Sequence, residues 1–265
     1  AAYGRCFVGH EAISSVGALQ IASRFFSLDP IADKGHLSLN VHSLTGAIKL
    51  GDYEPKYFDV FKFYPTSFVL PRQIGAWTQH LSKEPDSLWL LKPRAQCCGR
   101  GIQLVNGTSA PFILDALNAT QGQWYVQKFV HPPSLVWKRH KFVFRLFALV
   151  TSLVPLRVYL YDDGLTFFSA PDRPYTISPT ESSFNKRNYI TDYFFTELQA
   201  RIGMTARGLV EHLATSNVEA RPISPTGTEL WEALKKLTVT SIIAAQHKLS
   251  VIQRRHSRNS AYEVL

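Results

Sequence analysis

Apolar residues come in short runs cut by prolines and glycines until residue 140, where the pattern turns into one long alternation. Lys141-Phe-Val-Phe-Arg145-Leu-Phe-Ala-Leu-Val-Thr151 predicts a long strand and Leu156-Arg-Val-Tyr-Leu-Tyr161 a second. A short link through Pro155 joins them, and Asp163-Gly164 is a further turn signal. Successive side chains on a strand point to opposite faces. Lys141, Val143, Arg145, Phe147 and Leu149 therefore share one face; Phe142, Phe144, Leu146, Ala148 and Val150 share the other, which is uniformly apolar. A sheet that packs its apolar side on a core and presents a lysine and an arginine on the other can hold an anion. The plainer alternative is that Arg145 pairs with a nearby carboxylate.

Upstream, residues 1–60 carry weak signals, with a helix predicted from about Thr45 into Asp59. Phe63 to Pro71 reads as a short strand bracketed by prolines, which suits a sheet edge or an entry segment. A helix follows from Arg72 to Leu81, then a linker at Lys83-Glu-Pro-Asp. Three strands are predicted at Leu88–Lys92, Gly101–Val105 and Trp124–Val130, the last ended by His131-Pro132-Pro133. Past the long pair lies Leu165–Ser169, then a polar, proline-containing loop or lid over Pro171–Asn188. Residues 214–228 are polar and read as flexible. Thr226-x-x-Glu229 resembles a capping box, with Leu230, Leu234 and Leu237 on one helical face and helix continuing through Ile242, Ile243 and Leu249. The basic run Arg254-Arg255-His256-Ser-Arg258 reads as a solvated helix end. No internal repeat is present.

Composition narrows the picture. The chain has 265 residues, 45% hydrophobic and 18% charged, enough for one large domain or two small lobes. Its formal net charge of +9 favours an acidic partner. Three cysteines, Cys6 and the adjacent Cys97-Cys98, are too few for a disulfide framework and lack zinc spacing, so a reducing, cytosolic compartment is the expectation. No signal peptide is visible, and Arg145 interrupts the best candidate for a membrane span. The chain opens on alanine, has one methionine at Met204, and reads as a piece of a longer soluble protein. Twelve per cent aromatics with a positive charge raises nucleic-acid binding, but the aromatics sit in apolar strand runs such as Phe142 to Phe144, so core is the better reading.

Two segments could carry chemistry. Lys92 leaves a buried strand into Pro-Arg-Ala-Gln-Cys-Cys-Gly99-Arg-Gly101 and a further strand, which suits a flap whose backbone amides and lysine meet a phosphate chain. It is not a Walker A loop, and a glycine hairpin between strands remains the plainer reading. Gln127-Lys128-Phe129-Val130 offers strand-end donors and acceptors beside an apolar wall, as an adenine needs, though such a segment is often plain structure.

The order of these pieces is more specific than any one of them. Trp-Leu-Leu-Lys92-Pro with Gly99-x-Gly101-Ile, Val126-Gln-Lys-Phe-Val130, Lys141-Phe-x-x-Arg145 with Leu149-Val-Thr-Ser, and Pro155-Leu-Arg-Val-Tyr-Leu-Tyr161 with Gly164-Leu together resemble the tubulin-tyrosine ligase-like family. The likeness covers residues 60–193 well and the flanks loosely, and its wording sits nearer the glutamate-adding members. It implies an ATP-grasp fold, two α+β lobes gripping ATP. Three parts are expected: a lead-in segment over 1–82, a central lobe with the glycine loop over 83–132, and a C-terminal lobe over 133–265. It also implies Mg-ATP chemistry that makes an acyl-phosphate on a tubulin glutamate, attacked by an amino acid's amine. By position, Lys92 would bind phosphate with Gly99 and Gly101 in the loop above it. Gln127, Lys128 and Val130 would frame the adenine, and Lys141 would reach the nucleotide. Arg145 would steady the terminal phosphate and the acyl-phosphate, and Thr191 would match the threonine of a His-Leu-Thr-Asn motif. The expected partners are the acidic tails of tubulin, met by Lys138-Arg139-His140, Lys186-Arg187 and Arg254-Arg255, with a cytoplasmic, cytoskeletal setting and a monomer as the family habit.

The departures fall on the chemistry. Val143 stands where the family has an aspartate, Phe167 where it has an arginine, and Tyr189-Ile190-Thr191-Asp192 where it has His-Leu-Thr-Asn. Gly46-Ala47 align with an expected Arg-Lys pair. The sequence ends at Leu265, before the family's acidic residue and Glu-x-Asn triplet, so the Mg²⁺ ligands are expected beyond it. The reading is of an impaired ligase, or of a pseudoenzyme that keeps the fold as a tubulin-binding module.

Overall fold

The computed structural model describes residues 27–50, 61, 64–94, 101–109, 123–136, 140–169, 175, 205–215, 227–256 and 263–264. Two antiparallel sheets, each with its own core, account for most of it. The first holds β1 (Ser67–Leu70), β2 (Trp89–Pro93), β3 (Gln103–Val105) and β4 (Trp124–Lys128) in the order β1-β4-β2-β3. The proline-bracketed β1 sits at the edge, as its sequence predicts. Phe68, Leu70, Trp89, Leu91, Val105 and Val126 pack on Trp77 and Leu81 of helix α3 (Ile74–Lys83). Trp77, Trp89, Leu91 and Val126 are fully buried there. The pleat then sends Leu90, Lys92, Tyr125 and Gln127 to the opposite face, Lys92 lying directly across from Tyr125 and Leu90 from Gln127.

The second sheet is built on the predicted long pair, β6 (His140–Leu153) and β7 (Leu156–Phe168), with β5 (Leu135–Val136) and β8 (Glu263–Val264) both pairing with β6. Its apolar face divides between two helices. Phe142, Phe144 and Leu146 pack on α4 (Ala206–Thr215) and the start of α5 (Gly227–His256) around Leu209, Val210 and Trp231. Ala148, Val150 and Leu153 pack farther along α5 on Ile242, Ala245 and Leu249. The 30-residue α5 thus spans the sheet in one piece.

Two expectations change. Asp163-Gly164 is not a turn: β7 runs through it, and Tyr161, Asp162 and Asp163 stand opposite the single residue Phe147 as a bulge. A Cβ on Gly164 would lie 2.4 Å from the Arg145 carbonyl oxygen, so glycine is there for close strand approach. The Asp163 carboxylate accepts from the Gly164 and Arg207 amides, at 2.7 and 3.0 Å, and so caps the first turn of α4. Second, the N-terminal helix begins earlier than predicted. After the short α1 (Asp29–Ala32), α2 spans Lys34–Lys49, started by Asp33, whose side chain accepts from the His36 amide at 2.8 Å. The expected continuation to Asp59 lies outside the described residues, as do Thr226 of the capping box and most of the 171–188 lid. Among the described residues no helix is long and apolar enough to cross a membrane.

Candidate functional site

A cleft of about 460 Å³ opens where the polar face of the first sheet meets the start of β6. Leu90, Lys92 and Gln127 form one wall; Lys128, Phe129, Val130, Pro133 and Ser134 form the connection between the sheets. Lys141, Phe142 and Phe144 close it from β6, with Leu213 and Leu230 behind them. The volume falls in the range of small-molecule sites, roughly 300–1,000 Å³. Among the described residues, three lysines line it and no carboxylate does.

Each lysine is positioned by a different contact. Lys92 Nζ donates to Gln127 Oε1 at 2.9 Å and lies 5.8 Å from the centre of the Tyr125 ring. Gln127 Nε2 in turn donates to the Tyr125 hydroxyl at 2.9 Å. Burial drives the Tyr125 hydroxyl far above its ordinary pKa, so it stays neutral. Lys128 reaches away to Glu84, and that hydrogen-bonded ammonium holds the Glu84 carboxyl below its usual value. Lys141 Nζ lies 5.3 Å over the ring of Phe129. The Phe129 ring stacks on His131 at 6.1 Å, and His131 Nδ1 meets the Tyr175 hydroxyl at 3.0 Å, which anchors the connection. Val130 is 64% exposed at the rim.

The structure therefore brings Lys92, Gln127, Lys128, Val130 and Lys141 to one place from three separated stretches of chain. Arg145 lies outside this lining; its guanidinium sits 4.4 Å over the buried ring of Phe167. Val143 is directly opposite Phe167, so the two substituted positions form one apolar cross-strand pair beside Arg145. Gly101 has φ of +69°, and a Cβ there would meet Pro93 at 2.7 Å, a requirement for glycine that is independent of any phosphate. Gly99 and Thr191 lie outside the described residues, as do Lys138, Arg139 and the Lys186-Arg187 pair. Gly46 and Ala47 occupy the last turns of α2.

Sequence reasoning missed two supports. Arg94, one step beyond Pro93, is held by Asp33 through Nε and Nη2, the shortest contact being 2.7 Å, and donates to Gln123 at 2.8 Å. Behind Gln127 lies a hydroxyl cluster: Ser38 and Ser67, both fully buried, are 2.8 Å apart, and Tyr64 and Tyr125 approach to 3.4 Å. Serines in a helix and at a strand edge gave no local sign of meeting across 29 residues of chain.

Antiparallel sheets with helices on their faces and a lysine-lined, apolar-walled cleft between them define an α+β protein with a pocket of small-molecule size. The sequence comparison makes the assignment specific: the chain belongs to the tubulin-tyrosine ligase family, whose family model matches residues 38–265. It is 25% identical to a probable beta-tubulin polyglutamylase of Tetrahymena thermophila over 91% of this chain and 19% of that protein. It is 29% identical to tubulin monoglutamylase TTLL4 of Mus musculus over 70% of this chain and 15% of that protein. Tubulin glycylase 3C of Tetrahymena thermophila is 32% identical over 50% of this chain. The chain thus spans less than a fifth of the length of the first two. Among solved structures, the C-terminal domain of K. lactis Pby1, an ATP-grasp enzyme, aligns at a TM-score of 0.47 and 18% identity over 92% of this chain and 62% of that one. A likeness of that size carries no functional weight.

Proposed function

We propose that this chain is the ATP-grasp domain of a tubulin glutamate ligase, of the polyglutamylase type, with attenuated catalysis. The observation that carries the reading is the convergence of Lys92, Gln127, Lys128, Val130 and Lys141 on one cleft. The residues present fit ATP. Lys92 and Lys141 supply positive charge at the phosphate positions, Gln127 and Lys128 border the place for the base, and Leu90, Phe129 and Phe142 give it apolar walls. Bound ATP would supply the phosphoryl group that activates a carboxyl; the chain's part is to hold it and exclude water. Mg²⁺ is different. No group of three His, Cys, Asp or Glu side chains among the described residues could hold a metal ion, so these residues do not themselves form its site.

The glutamate-adding reading draws on the polyglutamylase and monoglutamylase relatives, and the substrate on the acidic tails of tubulin, complementary to a chain of net charge +9. Attenuation follows from the apolar pair Val143–Phe167. Where the resemblance leads one to expect an aspartate and an arginine, β6 and β7 carry a hydrocarbon pair, and Arg145 rests on the Phe167 ring. Losing one preorganised transition-state contact costs about 10²–10³ in rate. The same pair favours a second reading, a pseudoenzyme that binds nucleotide and tubulin without ligation.

Labelled glutamate transfer to tubulin with MgATP, by a protein that also carries the Mg²⁺ ligands expected past Leu265, tests both, since the described residues do not themselves form the metal site. Attenuated catalysis predicts ATP-dependent transfer that rises at least about tenfold in a Val143→Asp/Phe167→Arg variant, a fraction of the rate a transition-state contact is worth. No transfer by either protein, with nucleotide binding intact, selects the pseudoenzyme. Transfer that is unchanged in the double variant refutes attenuation.

A further inference from the structure

We infer that Tyr125 is a positioning residue for the nucleotide phosphates, acting through Gln127 on Lys92. The inference rests on the ATP reading above and assigns the side chain of Gln127 a role other than reading the base. Both ends of the Gln127 amide are engaged inside the protein: Oε1 accepts from Lys92 Nζ at 2.9 Å, and Nε2 donates to the Tyr125 hydroxyl at 2.9 Å. An amide has one carbonyl oxygen and one NH₂ group, and their order is fixed by the partners on each side. Lys92 can only donate, so the amide oxygen faces the ammonium, and the NH₂ on the other side is held by the Tyr125 hydroxyl, which fixes where that oxygen sits. The Tyr125 ring lies 5.8 Å below the same ammonium and offers it a second, cation–π contact.

The hydroxyl itself is held. Tyr125 is 2% exposed, and its oxygen belongs to a cluster with Tyr64, Ser67 and Ser38. That cluster sits where α2 meets the edge strand β1, and Ser67 is the cross-strand neighbour of Gln127. A continuous polar chain thus runs from Ser38 in the helix to Lys92 in the cleft, buried at one end and open at the other. It leaves recognition of the base to the backbone and the apolar walls, and reserves the Gln127 side chain for the charge.

The test is a double-mutant cycle on equilibrium binding of ATP, GTP and inorganic tripolyphosphate, using Tyr125→Phe, Lys92→Met and the pair. Tyr125→Phe keeps the ring and removes the hydroxyl, and thermal unfolding verifies that it folds. The expected loss for ATP and tripolyphosphate is about fivefold, the worth of one hydrogen bond, with an unchanged ratio of ATP to GTP affinity. In the Lys92→Met background the same substitution should change affinity by less than twofold, because its effect travels through the lysine. Equal losses in both backgrounds, or a changed ATP to GTP ratio with tripolyphosphate unaffected, overturn the inference. Failure of the unmodified protein to bind any of the three instead overturns the ATP reading on which it stands.

Discussion

Arg94 and Asp33 join the root of the glycine loop to the start of α2, and their coupling can be worked out before it is measured. The guanidinium approaches the carboxylate through Nε at 3.1 and 3.3 Å and through Nη2 at 2.7 Å. The side chains are 13% and 22% exposed, which places the pair between two regimes. Exposed pairs contribute about 0.2–1 kcal/mol, while breaking a fully buried one costs about 3–5 kcal/mol. A coupling of about 1–2 kcal/mol is expected here, since the geometry is forked but water still reaches both groups. Asp33→Asn isolates it, because asparagine also caps a helix and can still accept from the His36 amide. Urea unfolding of Asp33→Asn, Arg94→Met and the double variant gives the coupling directly. The pH dependence carries a sign. Burial alone would raise the Asp33 carboxyl, but the Arg94 and His36 hydrogen bonds outweigh it and hold it below the ordinary value. Its stabilisation is therefore complete above the unfolded carboxylate pKa, about 4, and is lost as pH falls through the lower folded value. Additive single effects, within about 0.3 kcal/mol, or a stability difference between the unmodified protein and Asp33→Asn that persists at acid pH, would refute the reasoning.

Two further substitutions probe the second sheet. Gly164→Ala places a methyl 2.4 Å from the Arg145 carbonyl oxygen, so β6 and β7 must separate locally; a loss of about 1–3 kcal/mol is expected in denaturant unfolding. Asp163→Ala removes the acceptor for two amides at the bulge and should cost about 1 kcal/mol, with faster amide exchange in the first turn of α4. Burial raises the Asp163 carboxyl, but the Arg207 and Gly164 amides outweigh it and hold it below the ordinary value, so this contribution too is present above about pH 4 and fades below it.

What was legible in the sequence was what local periodicity controls. The β6–β7 pair announced itself through alternation, β1 through flanking prolines, and α5 through its leucine spacing. The cleft was legible as separate pieces, because Lys92, Gln127 and Lys141 each end or begin an apolar run. The early start of α2 was hidden because Gly35, Ser38 and Asn40 are buried in it, and polar or small residues on the inner face blur the apolar stripe. Asp163-Gly164 has the composition of a turn, yet tertiary contacts use it as a bulge that caps a helix some 40 residues later. Tyr125 reads as ordinary strand filler; only the fold places it beneath Lys92. Leu213 and Leu230, far along the chain, could not be joined to the cleft without the sheet between them.

The central claim is that the cleft between the two sheets holds ATP by its lysines. Equilibrium titration of the protein with MgATP, repeated with Lys92→Met and Lys141→Met, tests it most directly. Saturable binding that weakens about tenfold or more in each variant is predicted, the loss of a charge-assisted contact to phosphate. No saturable binding, or binding indifferent to both lysines, would contradict it.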